Sequence, residues 1–153
     1  MARLEDLMPA MAERIRGMEC PVYPSSPFVV GGKLSSRRVA IVSSAGIHRR
    51  GEKPMMPGTN EFRELPQSLP SGDIVMTHVS SNYDRTGFQR DLNTVYPVDR
   101  LRELAQDGVV GAMSDTHYAV MGANDPGQWD ALTDQLTDRL RKDSIDAVLF
   151  SPV

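Results

Sequence analysis

The sequence holds little of what would announce an activity. A single cysteine, Cys20, in 153 residues excludes an internal disulfide framework and a CxxC redox pair. Beside Pro21, with nothing near it to depress its pKa, that thiol reads as inert packing. No apolar run approaches the roughly 20 residues that cross a bilayer, so no membrane partner is expected. A basic excess is missing too. With 17 Lys and Arg against 20 Asp and Glu, a net charge of -3 argues against a general nucleic-acid binder. The N-terminus has no unbroken apolar signal core, and Glu5, Asp6 and Glu13 count against a transit peptide, which leaves a cytoplasmic location as the default expectation.

What the sequence does contain is enough chain for one domain with a core and too little for two. We expect residues 1–34 to form an N-terminal helix and an extended connector, and residues 35–153 to form the core. The stretch Arg37–Gly51 organises that core. Val39, Ala40, Ile41 and Val42 form a short apolar block, which suits a strand buried between helices. The block breaks at Ser43-Ser44-Ala45-Gly46 into His48-Arg49-Arg50. In open α/β sheets the functional crevice lies off the carboxyl ends of the strands, where this chain puts hydroxyls, a glycine and cations.

Around that centre, Leu4, Leu7, Met8, Met11, Ile15 and Met18 draw an apolar stripe on a helix from about Arg3 to Gly17, started or kinked by Pro9. Its Met-rich face suits docking on the domain or on a partner subunit. Residues Pro21–Leu34 read as an extended connector. Glu52–Gly72, with four prolines, reads as a binding loop or lid, or as a partly ordered excursion. Asp73–Val79 reads as a second strand ending in the polar run Ser80–Gly87, and Asp99–Gln106 as a helix closed by Gly108. Val109–Met113 reads as a short strand followed by a third polar terminus, Ser114–Tyr118. Asp125-Pro126-Gly127-Gln128 has the pattern of a helix start, with Trp129, Leu132, Leu136 and Leu140 as the apolar stripe. Ile145–Phe150 closes the series as a buried-type strand that needs a cover from another segment or another chain. The expected fold is α/β: a mostly parallel sheet with helices on both faces, incomplete at its C-terminal edge.

Three polar strand ends give the candidate site. Ser43, Ser44, Gly46, His48, Arg49 and Arg50 could hold a carboxylate or phosphate through backbone N–H groups and guanidinium forks, or form a solvated basic turn. The cluster is neither a Walker loop nor GxGxxG, and G-x-S-x-G is absent; no cofactor follows from it. His48, His78 and His117 could converge with Tyr83, Asp84 and Tyr118 on one pocket for acid–base work, or serve as satisfied structural residues. No HxH or HxxxH pair supports a metal site, and no metal ligand is assigned. Asp84-Arg85 reads as an ion pair closing its turn, with a substrate-facing role the alternative.

The stretches SSAGIHRRGEKP, NYDRTGFQRDLNTVYPVDRLRELAQDGVVGAMSDTHYAVMGA and DAVLFSPV resemble the selenoprotein B family, the B components of glycine, sarcosine and betaine reductases with the related D-proline reductase subunit. The resemblance runs from about Phe28 to Val153. It implies reductive cleavage of a C–N bond in a small amino acid or its N-methylated relative, through attack by a selenocysteine or cysteine. It also implies that this residue directly follows the segment resembling Leu149–Val153, so that the chain as given holds no catalytic nucleophile and is the N-terminal part of a longer architecture. The implied partners are a small amino-acid-like substrate and a second copy or second reductase subunit. A non-catalytic small-anion-binding or subunit-interaction module is the alternative.

Overall fold

The structure, a computed structural model, describes residues 3–19, 22, 24–25, 29–81 and 83–153. The reading of Cys20 against Pro21, part of the connector, and Asn82 in the polar run lie outside the described residues.

The first element is α1 (Pro9–Arg16), with Pro at its first turn. Proline lacks the N–H that a first turn leaves unpaired anyway, so the stripe begins at Pro9. The segment before it makes only one tight turn, Leu4–Asp6. Among the described residues seven strands follow: β1 (Arg38–Ser43), β2 (Ile47–Arg49), β3 (Arg63–Pro66), β4 (Ile74–Met76), β5 (Ala112–Met113), β6 (Thr116–Ala119) and β7 (Ala147–Ser151). Between them run α2 (Thr86–Arg90), α3 (Val98–Gln106) and α4 (Asp130–Lys142).

β1 is the hub. It pairs in parallel with β7 on one side and with β5 and β6 on the other, while β3 lies antiparallel on the outer side of β6. The sheet is therefore mixed, parallel at its centre and antiparallel at the β3 edge. Val39 and Ile41 face α3, where Val95, Tyr96, Val98 and Leu101 pack on them. Ala40 and Val42 face Tyr118 and Leu136 of α4. Alternation along a strand sends successive side chains to opposite faces, and both faces of β1 are buried. Helices cover both faces, as the apolar block implies.

Three stretches depart from expectation. His48 and Arg49 belong to a strand rather than a turn, because β2 pairs antiparallel with β4 in a two-stranded ribbon apart from the main sheet. The segment 52–72 is not loop throughout, because it carries the strand β3. Leu65 of β3 is fully buried, Met55 N–H donates to Thr77 Oγ1 at 3.1 Å and Gly58 N–H to Asn124 Oδ1 at 2.9 Å. Pro66 is tolerated there because β3 is an edge strand. Asp125 caps Gly127 N–H at 2.9 Å over a single tight turn, and α4 begins only at Asp130. A Pro-Gly pair has little helix propensity with which to continue that turn.

The register between β1 and its β5/β6 neighbour slips. Val39 pairs with Met113, yet Val42 pairs with Tyr118, so four residues on one strand lie opposite two on the other. Such an insertion breaks the ladder and leaves a backbone donor unpaired. Here the donor is Ile41 N–H, and the His117 imidazole reaches in to accept it through Nδ1 at 3.1 Å.

Candidate functional site

The carboxyl ends of β1 and β7 meet in a lattice of serine hydroxyls. Ser43 and Ser151 are register partners, and both donate to Val95 O, at 2.7 and 2.9 Å. Ser43 Oγ also accepts Ala45 N–H at 3.2 Å. Fully buried and so engaged, Ser43 holds the turn rather than offering a free hydroxyl. Ser44 is different. Its N–H donates to Ser151 O at 3.1 Å, and its Oγ accepts Val153 N–H at 2.8 Å. It therefore clasps the backbone beyond β7 in the crevice.

Two glycines make that clasp possible. Gly122 N–H donates to Ser44 O at 2.9 Å, and a Cβ at Gly122 would stand 2.7 Å from Ser44 Cβ. Gly46 has φ +62°, and a Cβ there would meet Met121 Cε at 2.9 Å and the His78 backbone at 3.2 Å. Only glycine suits a left-handed position so tightly enclosed. That approach brings β4's end, and with it His78, beside the turn.

His78 is buried. Its Nδ1 accepts Ser80 N–H at 3.3 Å, so the neutral ring carries its proton on Nε2, which has no partner among the described residues. Burial first, and then the Arg85 charge, lower its pKa. The Tyr83 ring leans on it at 5.1 Å, and the Tyr83 phenol is pushed up by burial and by Asp84. Asp84 and Arg85 close the turn without the mutual ion pair the sequence suggests. Asp84 accepts Thr86 N–H at 2.9 Å, while Arg85 donates to His78 O at 2.6 Å and Ser80 O at 3.2 Å.

The remaining sequence candidates lie elsewhere. His117 and Tyr118 are not at a strand's polar end, because the strand resumes as β6 through them. His117 lies in the core under Tyr96, ring centroids 5.7 Å apart. Burial, then the Arg102 charge, holds its pKa down to about 4, as suits a ring whose Nδ1 must stay an acceptor. Tyr118 points to the opposite face and donates to Asp143 at 2.9 Å. His48 is buried in β2, its Nδ1–H donating to Arg49 O at 2.9 Å. Arg49 pairs with Ile74, and Arg50 donates to Gly72 O at 2.9 Å. Both arginines thus lie at the ribbon's other end, roughly 10 Å beyond Gly46 at about 3.3 Å per residue. The structure brings Gly46, two residues after Ser44, against His78, and His78 against Tyr83, while Asp84 is exposed and engaged with Thr86. Among the described residues, no group of three His, Cys, Asp or Glu side chains is placed to hold a metal.

Sequence reasoning missed Ser151, Gly122 and Val95. A signal was available for Ser151, since β1 and β7 are two apolar blocks that each end in serine. On the α4 side of Ser44 lies an apolar groove of about 170 Å³, walled by Val120, Trp129, Leu132, Phe150 and Pro152.

Residues 22–152 match the family described as glycine/sarcosine/betaine reductase selenoprotein B. The chain is 27% identical over 145 residues to D-proline reductase subunit gamma of Acetoanaerobium sticklandii, a match taking in 90% of this chain and 59% of that one. It is 29% identical over 123 residues to glycine reductase complex component B subunit gamma of Symbiobacterium thermophilum, covering 77% of this chain and 29% of the relative. Against sarcosine reductase complex component B subunit beta of Peptoclostridium acidaminophilum it is 25% identical over 139 residues, covering 86% and 31%. The chain thus spans between about three-tenths and three-fifths of the length of these relatives. No solved structure matches it.

Proposed function

The chain belongs to the glycine/sarcosine/betaine reductase selenoprotein B family, and from that premise we propose that it forms the N-terminal part of a B-type reductase component acting on a small amino acid or an N-methylated one. The reaction is substitution at the α-carbon. A selenolate or thiolate from the residue following Val153 forms a bond to that carbon as the C–N bond breaks. The amine leaves with the C–N electron pair and takes up a proton. In this reading residues 1–153 supply the cradle for that step.

The observation that carries this reading is the Ser44 clasp on Val153 N–H, 2.8 Å long. It supports a crevice in which the next residue would stand beside the Gly46–His78 contact. In that crevice the His78 Nε2–H is a donor suited to the substrate's carboxylate, and Tyr83 forms the wall behind it. The codon after Val153 tests the reading: UGA or a cysteine codon followed by an open frame is expected, and any other residue there overturns it. Turnover of glycine, betaine or D-proline by residues 1–153 alone would also overturn the assignment of the nucleophile.

A subunit-contact role for the same region is favoured by β7, whose Phe150 is 71% exposed beside the apolar groove. An uncovered apolar strand edge tends to find a partner, and the relatives named above are subunits of reductase assemblies.

A further inference from the structure

The amino-end side of the sheet carries a second cavity, this one polar, about 240 Å³ and lined among others by Arg38, Ser114, Asp115, Arg139, Lys142 and Asp143. Arg38 opens β1 and Ser43 closes it, so this cavity lies roughly 15–20 Å from the serine lattice at about 3.3 Å per residue. We propose that it binds a small oxyanion, a carboxylate or a phosphate group.

The groups around the cavity differ in whether they have partners. The carboxylates are satisfied. Asp115 accepts from Arg38 at 2.6 Å and from Gln67 at 2.8 Å. Asp143 accepts from Tyr118 at 2.9 Å and faces Arg139 Nε at 3.6 Å. Arg139 is held in turn by Glu64 at 3.1 Å. The donors are in surplus. Arg38 Nε is buried with no acceptor among the described residues. Ser114 is 1% exposed, and its Oγ accepts Thr116 N–H at 3.2 Å, which leaves its own hydrogen without an acceptor among the described residues. The exposed side chain of Lys142 makes no hydrogen bond or ion pair with them. Its charge complements the carboxyl end of α4, but that interaction with the helix field does not use its three N–H donors.

A buried donor left without an acceptor is destabilising, so an idle guanidinium N–H beside an idle hydroxyl and an ammonium selects a ligand rich in acceptors. A cation would find no free carboxylate. An oxyanion would bridge Arg38 Nε, the Ser114 hydroxyl and Lys142 with charge-assisted bonds.

The test is calorimetric titration of the whole chain with inorganic phosphate and, separately, acetate, at ionic strength matched with chloride. Saturable binding of either is expected, and the tighter of the two identifies the head group. Arg38→Gln and Lys142→Gln should each weaken binding about tenfold, the loss of one charge-assisted bond. Arg141→Gln, one residue away and paired with Asp138 outside the cavity, makes the same charge change and should leave binding unaltered. If Arg38→Gln folds poorly through loss of its Asp115 pair, Lys142→Gln decides alone. Absence of saturable binding of both anions, or an equal loss in Arg141→Gln and Lys142→Gln, overturns the proposal. The serine lattice has no part in the experiment.

Discussion

β1 and β7 run side by side in register over five residues, Val39–Ser43 against Ala147–Ser151, and their sequences, VAIVS and AVLFS, are near-equivalents in size and polarity. Their environments are not equivalent. β1 has strands on both sides and helices on both faces, and it is buried throughout that stretch. Among the described residues β7 has a strand on one side only, and Leu149 and Phe150 stand 40% and 71% exposed. Apolar content therefore marks a strand's suitability for the interior, whereas position in the sheet order decides whether it is enclosed.

The sharpest way to break the comparison is to truncate one side chain in each strand. Ile41→Ala should cost about 3–4 kcal/mol, since it opens a cavity in a closed core. Phe150→Ala should cost well under about 1 kcal/mol, because the ring is mostly in water already. Urea denaturation measures both, and equal losses would mean that β7 is as enclosed as β1.

A second test addresses the hub's repaired ladder. Folded His117 sits near 4 against an ordinary 6.5, so between those values the unfolded chain binds a proton that the folded chain refuses. Its contribution to stability is full above pH 6.5 and declines as pH falls toward 4, by about 3 kcal/mol in all. His117→Gln keeps an acceptor for Ile41 N–H but cannot titrate there. Its stability should be flatter than the wild type's across that window, and an unchanged slope would assign the pH dependence to other groups.

Next in size is the clasp at the strands' shared carboxyl end. Gly122→Ala forces a methyl to 2.7 Å from Ser44 and should cost about 1–3 kcal/mol by overpacking. Chemical-shift changes should centre on Ser44 and Val153, and a neutral substitution would show that the turn gives way. The smallest effect on stability is expected from Phe150→Ser. It should leave the denaturation midpoint nearly unchanged while lowering the average mass seen by light scattering if the β7 edge self-associates. A monomeric wild type would remove that role from the edge.

Much of the scaffold was legible because it rests on local pattern. The β1 block, the α3 stripe ending at Gly108 (φ +71°) and the Trp129–Leu140 stripe follow from apolar spacing and cap chemistry. β2 and β3 were not legible. Strands of three and four residues take their identity from β4 and β6, which no window of sequence contains. The candidate site divides in the same way. Polar strand ends located Ser44 and Gly46, and the Gly46 backbone contact draws in His78. His117 was misplaced because a two-residue register slip cannot be read from one strand alone, and a histidine after an apolar run looks the same whether it faces a pocket or mends a ladder.

That slip has an evolutionary corollary. The two surplus residues between Met113 and Tyr118 and the imidazole that stands in for a missing carbonyl form a matched pair. Excising the surplus would let the carbonyls line up again and leave the histidine a polar intruder in the core. Replacing the histidine by an alkyl group while retaining the surplus would strand an amide in a dry interior. Each change is tolerable only in the company of the other, so drift at this locus is confined to residues able to lend a lone pair.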